Sequence, residues 1–247
     1  MLEVFETYES LCAKVAREIR ATVSLKPEAL LCIAAGHTSL GVFKELIEAR
    51  AEGQIDFSRA AFVSMDEWLG MSRKTAGSCG DFLDREFLDH VNFSPENIRL
   101  FNGEAGDPEA ECASVEDFIR LHGGAIDYLV LGAGMNGHLA LNEPGTPWNR
   151  RAHATKLDPV TTKVGQKYFQ EETALAGGLT LGVADFSEAG RGVLLVSGAH
   201  KVDILKKILG GAVSDEIPAT AVRGFANASI YADRAAADPG ADMSGAV

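Results

Sequence analysis

The chain has 247 residues, 46% of them hydrophobic, with a formal net charge of −12 and a sequence pI of about 4.9. That is enough apolar material for one substantial core, and the excess of carboxylates argues against nucleic acid or an anionic membrane as a partner. A small anionic substrate stays open, because a few lysines and a helix N-terminus can hold a phosphate locally. The four cysteines, Cys12, Cys32, Cys79 and Cys112, form no CxxC and read as reduced thiols. The first residues, MLEVFETYESL, are acidic, and no window approaches a membrane span, so a soluble cytoplasmic protein is expected.

Leu11, Val15, Ile19 and Val23 recur every four residues and predict a first helix. Residues 29–34 read as a strand, and 38–51 as a helix carrying Leu40, Phe43, Leu46 and Ile47. A strand over 60–65 is followed by a helix over 79–91, with Phe82, Phe87 and Val91 on one side. Further strands are predicted at 98–101, 126–131, 193–197 and 229–232, and helices at 108–122, 159–169 and 200–209. Repeated β-α alternation predicts an α/β fold, a mainly parallel sheet with helices on both faces, in a single domain over residues 1–234. The tail 235–247 is small residues with Asp, Gly and Pro and is expected to be loose.

Ligands of open parallel sheets collect at the carboxyl ends of the strands, and four segments fall there. The run Ile126 to Leu131 breaks at Gly132 and Gly134 and delivers Asn136, His138, Asn142 and Glu143, an imidazole and a carboxylate with two amides. Gly36, His37 and Thr38 form a glycine turn between a strand and a helix that Thr38 or Ser39 can cap, which suits a phosphate. Asp66 and Glu67 follow a third strand and supply a base opposite His138. Lys201 opens a helix after a fourth strand and can neutralise a phosphate, with Lys167 as a second candidate. Taken singly, each segment also reads as an ordinary βα loop with surface polar residues. The histidines are scattered and give no metal-ligand set, and the glycine turn lacks the spacing of a nucleotide-binding loop, so no cofactor is expected.

AAGHTS, FVSMDEW, LGAGMNGHLALNEPG and LVSGAHK, in this order, resemble the glucosamine-6-phosphate deaminase/isomerase family over essentially the whole chain to about Ala232. The DEW form, GSCGDF and LTLGVAD look closest to galactosamine-6-phosphate isomerase members, and the wider superfamily contains 6-phosphogluconolactonases. The resemblance implies a Rossmann-like sheet and metal-free conversion of an amino-sugar 6-phosphate to a ketohexose 6-phosphate and ammonia. It implies that Asp66 moves a proton from C2 to C1, that His138 assists ring opening, and that Glu143 orients or charges His138. Asn136 stands where the family's relay commonly has an acid, and His37 where it often has glycine. The phosphate would rest on Gly36, His37 and Thr38 with Lys201, under a lid carrying Lys167. Alternatives from other classes are a sugar-phosphate lactone hydrolase and a non-catalytic sugar-phosphate sensor. A homo-oligomer is compatible with all three.

Overall fold

The structure is a computed structural model, and it describes residues 1–237. Its elements are β1 (Leu2–Phe5), α1 (Tyr8–Leu25), β2 (Leu30–Ile33), α2 (Leu40–Ala51), β3 (Ala61–Val63), β4 (Asp66–Trp68), α3 (Cys79–Glu86), β5 (Ile98–Arg99), α4 (Pro108–Leu121), β6 (Tyr128–Gly132), β7 (His153–Thr155), α5 (Pro159–Gly165), β8 (Gly178–Thr180), α6 (Val183–Ser187), β9 (Arg191–Val196), α7 (Val202–Gly210) and β10 (Ala228–Asp233). Seven strands make one sheet in the order β1-β10-β9-β6-β2-β3-β5, and every neighbouring pair is parallel. Helices cover both faces, as the alternation predicts.

The central strands show why the sheet is buried on two sides. In β2, Leu30 and Cys32 enter one core while Leu31 and Ile33 enter the other. In β6, Tyr128 and Val130 go one way, Leu129 and Leu131 the other, and β9 splits its residues in the same manner. A strand with two apolar faces reads as a continuous apolar run, which is the signal the sequence carries. On one face α1 turns Leu11, Val15, Ile19 and Val23 inward, and Thr7 and Ser10 close its first turn with reciprocal hydrogen bonds.

The chain leaves β2 through α2 toward β3, and leaves β6 in the opposite direction toward β9. Adjacent strands whose connections diverge open a crevice at their carboxyl ends. A second, antiparallel sheet of order β4-β8-β7 joins this edge, with Asp66 opposite Thr180. Periodicity did not predict it, because strands of three residues are too short to show a period. The edge strand β1 was missed for the same reason.

Helix starts differ from expectation. The helix expected from residue 38 begins at Leu40 after a 3-10 turn, His37–Ser39, and neither Thr38 nor Ser39 makes a side-chain cap. The helix expected over 79–91 stops at Glu86 and resumes as the 3-10 turn Leu88–His90. The segments over 159–169 and 200–209 likewise combine an α-helix with the 3-10 turns Gln166–Tyr168 and Ala199–Lys201. The strand expected over 98–101 pairs only at Ile98–Arg99. Ala236 packs into the core with its N–H on Asp233, and residues 238–247 of the expected tail lie outside the described residues.

Candidate active site

A cleft of about 450 Å³ opens at the carboxyl edge of the large sheet. Gly36, His37, Thr38, Asp66, His138, Lys167 and Lys201 all line it, while Asn136 and Glu143 stand behind His138. Asn142 does not belong to the site: it is buried and ties its loop to the Leu139 and Leu181 carbonyls at 2.9 and 2.8 Å.

Tyr8 locks the glycine turn after β2. Its hydroxyl accepts from the Gly41 N–H at 2.8 Å and donates to the Thr38 carbonyl at 3.1 Å. The Ser39 N–H closes back on the Gly36 carbonyl at 2.9 Å. Above the turn, the Tyr168 ring stacks on His37 at 5.5 Å and its hydroxyl takes the His37 N–H, while the Lys167 ammonium lies 4.9 Å over the same ring. Sequence reasoning missed both tyrosines, since they reach the turn from distant elements.

Strand alternation sorts the DEW segment. Asp66 and Trp68 face the cleft, and Glu67 points away toward the N-terminus of α3. There Glu67 accepts the N–H groups of Trp68, Cys79 and Gly80 at 2.8, 3.0 and 2.8 Å. Ser78 caps the same helix by accepting from Asp81 N–H. Burial, and then the Glu67 carboxylate, push Asp66 up to about 7, with the Cys79 thiol opposing.

His138 sits at the head of a three-residue chain. Its Nδ1 is 2.9 Å from the Thr161 hydroxyl, which donates to Glu143 Oε2 at 3.0 Å. Thr161 has one proton to give, so Nδ1 carries hydrogen and Nε2 keeps its lone pair. The direct separation of His138 Nδ1 and Glu143 Oε2 is 3.6 Å, so Thr161 is the link. Asn136 donates to Glu143 Oε2 at 3.1 Å and accepts the His138 backbone N–H at 3.2 Å, so it orients the loop rather than the ring. Burial, followed by Lys201, lowers His138 to about 4 and keeps the imidazole neutral. Burial raises Glu143, against the donors Thr161, the Asp158 N–H and Asn136. Thr161 was missed because it lies on α5, 23 residues beyond His138, with no spacing to betray it.

Lys201 donates to the Ala133 carbonyl at 2.7 Å, and burial together with Lys167 lowers it to about 8. Its loop hangs on Asp233, which accepts from Ser197 Oγ and from the Gly198 N–H. Burial also lowers Lys167. Among the described residues, no three His, Cys, Asp or Glu side chains are placed to hold a metal ion. No helix among them is long and apolar enough to cross a membrane.

The chain matches the family model for glucosamine-6-phosphate isomerases/6-phosphogluconolactonase over residues 4–230. It belongs to that family. It is 33% identical to a glucosamine-6-phosphate deaminase of Thermoanaerobacter pseudethanolicus, covering 93% of this chain and 91% of that one. It is also 33% identical to glucosamine-6-phosphate deaminase 2 of Bacillus subtilis, covering 95% of each. Among solved structures, a monomeric glucosamine-6-phosphate deaminase superposes with a TM-score of 0.91 at 32% identity, over 96% of this chain and 98% of that one. A 6-phosphogluconolactonase from Trypanosoma brucei has a TM-score of 0.73 at 18% identity over 98% of each chain, and shares the fold.

In this family member the imidazole rests against a glycine that cannot be enlarged. A Cβ at Gly134 would lie 2.4 Å from His138 Cε1 and Nε2. Gly134→Ala is expected to push the ring off the Thr161 hydroxyl and cut turnover by about a hundredfold, the typical result of an ångström of misplacement. Near-normal kcat in the folded variant would show that the ring position does not matter.

Proposed function

We propose that the protein is an amino-sugar 6-phosphate deaminase/isomerase whose substrate is glucosamine 6-phosphate, released as the ketohexose 6-phosphate and ammonia. The observation that carries this reading is one cleft lined by a desolvated carboxyl, a neutral imidazole with a free Nε2, and a lysine beside an amide-rich turn. The family membership and the names of the relatives support it.

The phosphate rests on the turn at Gly36, His37 and Thr38 and on Lys201, with Lys167 closing from the α5 side. His138 Nε2 takes a proton from the sugar's O1 hydroxyl and returns it to the ring oxygen, which opens the pyranose. Asp66 removes the C2 proton and delivers it to C1 while the sugar's own ammonium gives O1 its proton, and water hydrolyses the iminium left at C2 with loss of ammonia. A group that must accept and then return one proton works best when its acidity lies near the working pH. No step needs a metal ion.

Ammonia release from glucosamine 6-phosphate tests the reading, and it should persist in excess chelator. Galactosamine 6-phosphate should be run beside it, because Trp68 of the DEW segment and Ser78, Cys79 and Phe82 of the GSCGDF segment border the cleft. The relatives above carry the glucosamine name and lend no support to the galacto epimer. Asp66→Asn should lower kcat by about 10²- to 10⁴-fold, the usual contribution of a general base, with binding retained. A variant with wild-type kcat would remove Asp66 from the chemistry.

Lys201 meets a phosphate present in ground and transition states alike, so Lys201→Ala should act mainly on KM. Loss of one charge-assisted hydrogen bond of about 1.5–3 kcal/mol corresponds to a rise of roughly ten- to over a hundredfold. An unchanged KM would place the phosphate elsewhere.

The pH profile follows from the same groups. Asp66 works as carboxylate, so kcat/KM should climb as pH rises through about 7. Lys201 works as ammonium, so it should fall again as pH passes about 8. A flat profile between pH 6 and 9 would contradict both assignments.

A further inference from the structure

Glu67 is 1% exposed, lies outside the cleft and has no part in the steps above. A carboxyl group buried this deeply is tolerated when it is ionised against donors or surrendered to its neutral form. Burial raises Glu67, but it has donors that oppose the rise: three backbone N–H groups and the positive end of α3. Asp66, its neighbour in the chain, is favoured as an ion only by the Cys79 thiol. Where two carboxyl groups adjoin, the better-solvated one keeps the charge and the other becomes the weaker acid.

The other titratable groups that act with Asp66 are Cys79 on α3, Cys32 on β2 and Tyr168 beyond α5. Burial pushes both thiols well above their ordinary value and Tyr168 up to about 12, so none is charged at neutral pH. Across the cleft, Lys167 and Lys201 act on each other and on His138. Among the described residues, Glu67 is therefore the charge that bears on Asp66.

We infer that Glu67 is a positioning residue: its carboxylate, ionised on the N-terminus of α3, keeps Asp66 a weak acid able to take a proton from carbon and hand it back. The identity of that carbon rests on the deaminase reading, whereas the pairing of the two carboxyls does not. A more acidic Asp66 would be a poorer base toward C–H, and a fully neutral one would be no base at all. Glu67 holds it between these limits without touching substrate.

Carboxyl ¹³C NMR titration of the full chain, labelled at Asp and Glu, tests the pairing without any substrate. In the unaltered protein Glu67 should lose its proton at lower pH than Asp66. In Glu67→Gln the Asp66 midpoint should fall by about one pH unit or more, the size expected for a neighbouring charge. The acid limb of kcat/KM should move with it, and kcat at pH 8 should drop while KM holds. Glu67→Asp should restore part of the shift. An unmoved Asp66 midpoint in folded Glu67→Gln overturns the inference. So does a Glu67 that titrates above Asp66 in the unaltered protein, a result that stands even if the variant fails to fold. A shifted midpoint without ammonia release from either amino sugar would support the pairing and overturn the deaminase reading.

Discussion

Desolvation at the carboxyl edge of the sheet governs this cleft. The same burial that raises Asp66 to about 7 lowers His138 to about 4 and Lys201 to about 8. Each shift favours the neutral form, which brings the Asp66 carboxyl, at about 7, close to the Lys201 ammonium, at about 8, and leaves His138 uncharged. The consequence is responsiveness. A phosphate dianion beside Lys201 would restore the ammonium, because an opposite charge at hydrogen-bond distance favours the charged form of its partner. Binding and protonation of the cleft are thus coupled through one dielectric environment rather than through a chain of separate contacts.

The fold supports this environment with buried carboxylates turned inward on backbone. Glu67 holds the start of α3, and Asp233 holds the loop ahead of Lys201 through Gly198 and also takes the Ala236 N–H. The half-buried Asp127 likewise accepts the Leu30 N–H and pairs with Lys26 at the other end of β2, and the buried Asp185 accepts the Gly182 N–H ahead of α6. Some of the acidic composition is therefore internal structure. Each of these carboxylates gives backbone N–H groups a partner, and its removal would strand those donors. Such clamps fix a loop in place, which a cleft needs when its lining groups come from four different strand ends.

The architecture was legible because parallel strands write themselves as apolar runs, from Leu30 to Ile33 and from Tyr128 to Leu131. Most of the cleft residues were legible because they follow such runs: glycines break the runs ahead of His37, His138 and Lys201, and Asp66 comes after Met65 at the end of another. Thr161, Tyr8 and Tyr168 were not. They join the site from α5, α1 and a 3-10 turn, and only tertiary packing brings a threonine 23 residues away to His138. The β4-β8-β7 sheet was hidden by length, and with it the alternation that separates Asp66 from Glu67. Two adjacent acids in a sequence look alike. A strand gives them opposite faces and opposite jobs.

The same reasoning resolves the amide at position 136. A carboxylate there, beside Glu143, would add a second negative charge near His138 and pull it toward imidazolium. With Asn136 the carboxylate that bears on the ring's charge is Asp158, while burial, Lys201 and Lys167 oppose it. The ring is held through the Thr161 hydroxyl and stays uncharged. A neutral imidazole with Nδ1 bonded and Nε2 free can accept a hydroxyl proton and release it to a nearby ether oxygen without storing charge in a dry pocket. Ring opening of a cyclic sugar asks for that exchange, and Thr161 lets an amide stand where an acid is expected.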